Sequence, residues 1–287
     1  MESIIKKIED MSLNAWPSHK MELYDGWILR FSYFYTHRTN SVEQFSKSTL
    51  PWREKIPYCE QVYKRLGTPA IFKISPLVSP DFDYMLENRG YQIEHVTNVM
   101  TVELCPSPTA HVEKLFQNVA ISNDLLEAST PKKDINTTSL LGRNKLCEYP
   151  DVTFSNTISD VWIESLFNLK NTTNLVHREV VPSMYHSILK ETICASIEKD
   201  GQIIGTGLGI LDREYVGIYA IHVRDDYRGK GYARQIVSGL LQEGIKRGAS
   251  KAYLQVVDGN LPARKLYESL GFTFSYSYWF RVKEISD

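Results

Sequence analysis

No stretch of this 287-residue chain approaches the ~18 consecutive apolar residues that a membrane-spanning helix needs. Charge of one sign is lacking as well: 33 Lys and Arg stand against 34 Asp and Glu, a formal net charge of −1. A nucleic-acid backbone calls for an extended basic face, so nucleic acid is not an expected partner. Cysteine is scarce, and Cys59, Cys105, Cys147 and Cys194 lie far apart with no C-x-x-C among them. They are expected to be buried thiols of a reducing compartment rather than disulfides. The histidines, His19, His37, His95, His111, His177, His186 and His222, form no H-x-x-x-H and pair with no cysteine at ligand spacing, so no metal is expected. The first ten residues carry Glu2, Lys6, Lys7, Glu9 and Asp10 and are expected to form neither a signal nor a transit peptide. A cytoplasmic protein without membrane contact is the expectation.

What is present is ordinary globular composition, 43% hydrophobic and 23% charged, over a length suited to one large domain or two small ones. The most informative stretch runs from Ile218 to Phe272. It opens with a strand-like run, Ile218 to Val223, continues through R-D-D-Y-R-G-K-G-Y-A-R (Arg224 to Arg234), and enters an amphipathic helix over Gln235 to Arg247. A second strand over Ala252 to Val257 precedes N-L-P-A-R-K-L-Y-E-S-L-G-F (Asn260 to Phe272). A strand feeding a helix through a glycine-rich turn leaves free backbone N–H groups at the positive end of the helix, where a phosphate or pyrophosphate fits. Gly229 and Gly231 let backbone approach a ligand, Ala233 keeps the next position small, and Arg224, Arg228, Lys230 and Arg234 outnumber Asp225 and Asp226. By contrast, G-T-G-L-G-I (Gly205 to Ile210) only imitates a dinucleotide motif: its third glycine would fall at Ile210, and no helix follows, so it reads as a strand.

The segment resembles the GCN5-related N-acetyltransferases (GNAT). Their [Q/R]-x-x-G-x-[G/A] signature is matched by Arg228, Gly231 and Ala233. Their approximate N-x-x-A-x-x-x-Y-x-x-x-G-F motif is matched by Asn260, Ala263, Tyr267, Gly271 and Phe272. The resemblance is close over about Val152 to Val282. It implies an α/β fold (α+β in some schemes) built on a mostly antiparallel sheet with a splayed parallel pair. It also implies acetyl-CoA as co-substrate, held by Ile221, His222, Val223, Arg228, Gly229, Lys230, Gly231, Tyr232, Ala233, Asn260 and Ala263. In such enzymes a tyrosine at the place of Tyr267 lies near sulfur and protonates the departing thiolate. The positions that carry a base are here Gly217 and Tyr219; the usual acid or histidine is absent. Tyr219 and Tyr267 are therefore the candidate catalytic residues. Regular alternation would set Tyr219, Ile221 and Val223 on one face of the strand and turn His222 to the other.

The chain also reads as a diverged repeat. F-D-Y-M-L-E-N-R-G-Y (Phe82 to Tyr91) parallels A-R-K-L-Y-E-S-L-G-F (Ala263 to Phe272), each a helix ending in Gly plus an aromatic, and alternating strands follow both. Pro69 to Ser75 stands where Ala252 to Val257 stands, and Tyr58 to Leu66 is a counterpart helix. In this register Leu86 takes the place of Tyr267 and Ser79 that of Asn260, while His37 to Phe45 contains no glycine cradle. The expected organisation is a degenerate GNAT-like unit without cofactor site over 1–104, a linker over 105–150 that starts at C-P-S-P and includes possible short helices at Val112 to Phe116 and Asp124 to Ala128, and a catalytic unit over 151–287. Helices are expected over Val161 to Leu169 and Met184 to Glu191, then a hairpin of Ile193 to Lys199 and Ile203 to Leu211 turning at Asp200–Gly201. Tyr276, Tyr278, Trp279 and Phe280 read as packing aromatics rather than an acceptor pocket. Trp27, Arg30, Arg38 and Asn40 stand out in the first half, either to bind substrate or to join the halves.

The expected function is acetyl transfer from acetyl-CoA to a primary amine, by direct attack because no cysteine on the motif strands offers an acyl-enzyme. The acceptor, a small molecule or a peptide, is not legible, and monomer and homodimer both stay open. A CoA-binding sensor or scaffold without turnover is the alternative.

Overall fold

Among the described residues, eleven strands form one continuous sheet. The computed structural model describes residues 2–104 and 152–285. The strands are β1 (Lys20–Tyr24), β2 (Trp27–Phe31), β3 (Val42–Gln44), β4 (Ala70–Ile74), β5 (Gln92–Glu103), β6 (Val152–Ser155), β7 (Glu191–Lys199), β8 (Gln202–Asp212), β9 (Tyr215–Val223), β10 (Lys251–Val257) and β11 (Thr273–Lys283). Their order is β1-β2-β3-β4-β11-β5-β10-β9-β8-β7-β6. Flanking them are α1 (Glu2–Ala15), α2 (Trp52–Arg65), α3 (Pro80–Asn88), α4 (Asp160–Leu169), α5 (Leu175–His186), α6 (Tyr232–Lys246) and α7 (Leu261–Ser269). Two pairs run parallel, β3 with β4 and β9 with β10; the other paired strands are antiparallel. No helix among the described residues is long and apolar enough to cross a membrane.

The repeated motif is visible down to single hydrogen bonds. Ser79 caps α3 by accepting from the Asp81 N–H, and Asn260 caps α7 by accepting from that of Ala263. At the other ends Gly90 and Gly271 adopt φ of 86° and 87°, left-handed values that glycine takes without strain. Tyr91 then donates to the Leu86 carbonyl at 3.1 Å, and Phe272 donates to that of Tyr267 at the same distance. Both aromatics are buried. The two β-α-β units, β4-α3-β5 and β10-α7-β11, nevertheless exchange their last strands. β5 pairs with β10 from Lys251↔Glu103 to Val257↔Thr97, and β11 lies between β4 and β5. Each half of the sheet is thus completed by the other half of the chain.

Several boundaries differ from the sequence reading. The helix expected over Met184 to Glu191 is α5, displaced toward the N-terminus. Asn174 caps it by accepting from the His177 N–H, it runs through Pro182, and Glu191 already opens β7. Proline costs an interior helix one hydrogen bond, which hid the first half of this helix from a pattern search. The helix expected from Tyr58 begins at Trp52, and α6 begins at Tyr232 rather than Gln235. The hairpin turns at Asp200 and Gly201 as expected, with φ of 53° and 72°. Cys59 and Cys194 are buried free thiols. The expected linker, its two short helices, Cys105 and Cys147 lie outside the described residues.

Core residues lie on both faces. On one, α1, α4 and α5 pack with Leu208, Ile210, Tyr215, Tyr219, Tyr253, Tyr276 and Tyr278. On the other, α6 and α7 pack with Val216, Ile218, Val223, Leu254 and Val256. Under α1 the first face also buries charge. Lys73 sits 2.6 Å from Glu9 and 3.6 Å from Glu43, Arg30 sits 3.4 Å from Glu43, and Tyr276 donates to Glu9 at 2.6 Å. Burying such charges is tolerable because each has an opposite partner.

Candidate active site

The cradle follows β9 through one 3-10 turn, Asp225–Tyr227, into α6. Gly229 and Gly231 take φ of 76° and 83°, and a Cβ placed on either would meet nothing within 4 Å. Glycine is needed there for the backbone, and the space over it is open. No side chain caps α6; the Gly231 carbonyl accepts from Gln235 at 3.1 Å, so the N–H groups of Tyr232, Ala233 and Arg234 precede the first intrahelical bond. Such a turn, with the positive end of a helix behind it, suits a pyrophosphate. The basic residues are partly engaged. Arg228 pairs with Asp225 at 2.7 Å and donates to the Val223 carbonyl at 3.3 Å, Arg224 pairs with Asp226, and Lys230 donates to the Asp226 carbonyl at 3.0 Å. Arg234 donates to Ser269 at 2.6 Å, tying α6 to α7.

β9 departs from regular alternation, and the departure corrects the expected facing of its residues. Ala220 has φ of 51°, and the β8 register jumps between Thr206↔His222 and Leu208↔Tyr219. This bulge inserts one residue, so side chains before and after it swap faces. Tyr219 and Ala220 pack in the α1 layer, whereas Ile221 and Val223 pack against α6 and α7. Tyr219 therefore does not share a face with Ile221 and Val223, and His222 lies on the Tyr219 side. Burial, with Lys170 and Arg228 adding repulsion, pushes the His222 imidazole down to about 4. Parallel pairing of β9 with β10 ends at Ile218↔Leu254. The Arg224 N–H donates to Ile204 on β8 at 2.8 Å. Because N–H directions alternate along a strand, those of Ile221 and Val223 point toward the opened β10 side.

Tyr267 lies on α7 in the same apolar cluster as Ile221, Val223, Tyr232, Ala233 and Ala263. Its ring is 9% exposed and stacks edge-on against Phe272 at 6.0 Å, and its hydroxyl makes no hydrogen bond among the described residues. Burial pushes that phenol up to about 12, so it keeps its proton at neutral pH. Asn260 is occupied as the α7 cap, at 3.3 Å from the Ala263 N–H. On the opposite face the Tyr219 hydroxyl lies 2.5 Å from that of Tyr253, and burial again holds it protonated, at about 12.

Tertiary structure adds neighbours that no local motif announced. Arg38 donates to Tyr278 at 3.0 Å, Tyr278 donates to Gln255 at 3.0 Å, and Gln255 donates to Ser12 at 2.7 Å. Trp16 meets Tyr219 edge-on at 6.3 Å. Elsewhere His37, Glu94 and His95 converge: His37 Nε2 lies 3.1 Å and His95 Nε2 4.0 Å from the same Glu94 oxygen. The three are split between a turn and β5, beyond any spacing rule. Surface concavities of about 350 and 570 Å³ lie beside β1 and β2 and are lined by none of the cradle residues.

Residues 163–272 match the model of the acetyltransferase (GNAT) family. An uncharacterised N-acetyltransferase of Bacillus subtilis, YobR, is 23% identical over 279 residues, covering 97% of this chain and 98% of its own. Among solved structures, a GCN5-related N-acetyltransferase from Kribbella flavida superposes with a TM-score of 0.60 at 12% identity, covering 99% of this chain and 96% of that one. A tandem GNAT protein from the clavulanic acid biosynthesis pathway superposes at 0.55 with 10% identity, covering 98% and 89%. The strand–cradle–helix arrangement, the splayed parallel pair and these likenesses agree: the chain has the GNAT fold, and its residues 163–272 carry the acetyltransferase (GNAT) family match.

Proposed function

We propose that the chain transfers an acetyl group from acetyl-CoA to a primary amine, with the donor site in the second half alone. One observation carries this reading: the uncapped first turn of α6, with open space over Gly229 and Gly231, shares its face of the sheet with a protonated Tyr267 hydroxyl that has no partner among the described residues. Anionic phosphates would satisfy the N–H groups of Tyr232, Ala233 and Arg234, with Arg228 and Lys230 at the rim. The Ile221 and Val223 N–H groups, freed by the splay, would hold the pantetheine arm and polarise the acetyl carbonyl. Tyr267 then supplies a proton to sulfur as the carbon–sulfur bond breaks and the amine nitrogen bonds to the acetyl carbon. The amine proton leaves to water or to an unidentified base, because Tyr219 and Tyr253 are held protonated.

The first half offers none of this. Leu86 stands in the place of Tyr267, fully buried, and no glycine turn leads into α2. The division into a degenerate unit over 1–104 and a catalytic unit over 151–287 is part of the proposal, qualified by the exchange of β5 and β11. The full-length protein should release CoA thiol from acetyl-CoA when amines are supplied. Binding of acetyl-CoA with no release across a broad amine panel would favour a sensor instead.

A further inference from the structure

Every deeply placed cation but one has a carboxylate partner. Lys55 pairs with Asp25, Lys73 with Glu9 and Glu43, Arg30 with Glu43, and Arg281 with Asp83. Arg38 is the exception among the described residues. Its Nε donates to Tyr278, its two terminal nitrogens have no protein partner, and the groups around it are the phenols of Tyr278, Tyr219 and Tyr253. The residue lies deep in the molecule yet keeps accessible surface. Its backbone is well braced: the Arg38 carbonyl accepts from Arg30 at 2.7 Å. The Asn40 side chain accepts from the Ser32 and Phe34 N–H groups and donates to the Thr36 carbonyl. A second donor is idle beside the same Tyr219. The Trp16 indole leans on Tyr219, and its N–H is buried without a partner.

An enclosed guanidinium without a counter-charge is costly unless a ligand completes it. We infer that Arg38, with the Trp16 N–H, forms an anion subsite for the acceptor, and that the acceptor is an amine carrying a carboxylate, such as an amino acid or a peptide. This rests on the acetyl-transfer reading above. The position is right for it, since Tyr219 stands where β9 and β10 part, on the face opposite the cradle. A planar guanidinium offers two parallel donors that match a carboxylate. A single cation plus one neutral N–H suits one negative charge better than a phosphate dianion. The first half of the chain thereby supplies specificity to a site whose donor half lies in the second.

The test uses the full-length protein saturated with CoA, and calorimetry with N-acetylglycine against N-acetylglycinamide, which differ only in the carboxylate. The acid should bind at least tenfold tighter, and Arg38→Gln should erase the difference while leaving CoA affinity unchanged. Arg38→Lys, which keeps the charge, should retain part of it. In turnover, glycylglycine should exceed its amide in kcat/KM by tenfold or more, mostly through KM. Equal binding of acid and amide by the wild type, an unchanged ratio in Arg38→Gln, or a preference for phosphoethanolamine over the carboxylates would overturn the proposal. Failure of CoA itself to bind would overturn the cradle reading instead.

Discussion

His222 gives the fold a sign and a size that can be measured. Burial first, then Lys170 and Arg228, hold its imidazole at about 4 against an ordinary 6.5. The folded state therefore binds fewer protons than the unfolded state between those values. The stability involved is fully present above pH 6.5 and is lost as pH falls toward 4. Complete protonation would cost about 3 kcal/mol, of which roughly 2.5 kcal/mol falls between pH 7.5 and 4.5. His222→Gln removes the titrating group and keeps a polar side chain of similar reach. Urea unfolding of both proteins at pH 7.5 and 4.5 should show the wild type losing about 2.5 kcal/mol more than the variant across that interval. Parallel losses would mean that His222 is solvated, and that the bulge at Ala220 does not turn it into the packed face. The same placement predicts that His222 contributes no limb near pH 6.5 to a kcat/KM profile.

Two further outcomes follow from the site and the sheet. Tyr267→Phe should lower kcat by roughly 10²-fold, with acetyl-CoA affinity and thermal midpoint nearly unchanged, because the lost hydroxyl has no partner among the described residues and the ring remains; full kcat would leave Tyr267 as packing. A protease site inserted between residues 104 and 152 and then cut should yield two fragments that co-elute in size-exclusion chromatography, since β5 pairs with β10 and β11 with β4; separation without denaturant would contradict the strand exchange.

Local patterns revealed much of this molecule, and the limits were physical. The glycine turn before α6, the glycine that ends α7 and the hairpin at Asp200–Gly201 are written in residues with narrow backbone preferences, so spacing alone located them. The bulge is different. Ala220 adopts a left-handed φ that alanine does not advertise, and one inserted residue was enough to invert the facing of His222 relative to Tyr219. The exchange of β5 and β11 was equally hidden, because a strand carries the same alternation whichever neighbour it takes. Arg38, Trp16, Tyr253 and Tyr278 converge from distant segments, as do His37, Glu94 and His95, and no single-sequence spacing encodes such meetings. The repeat, by contrast, was legible because each copy ends its helix with the same glycine–aromatic stop.

In the proposed function the glycine turn before α6 receives the phosphates of acetyl-CoA. Calorimetry of acetyl-CoA with full-length wild type, Gly231→Val and Gly248→Val tests it most directly. Both glycines have left-handed backbone, with φ of 83° and 92°, and open space where a Cβ would go, so valine imposes comparable strain at either end of α6. Only Gly231 lies in the cradle. The wild type should bind one equivalent, Gly248→Val should bind like it, and Gly231→Val should lose at least tenfold in affinity, about 1.4 kcal/mol. Equal binding by both variants would contradict the account.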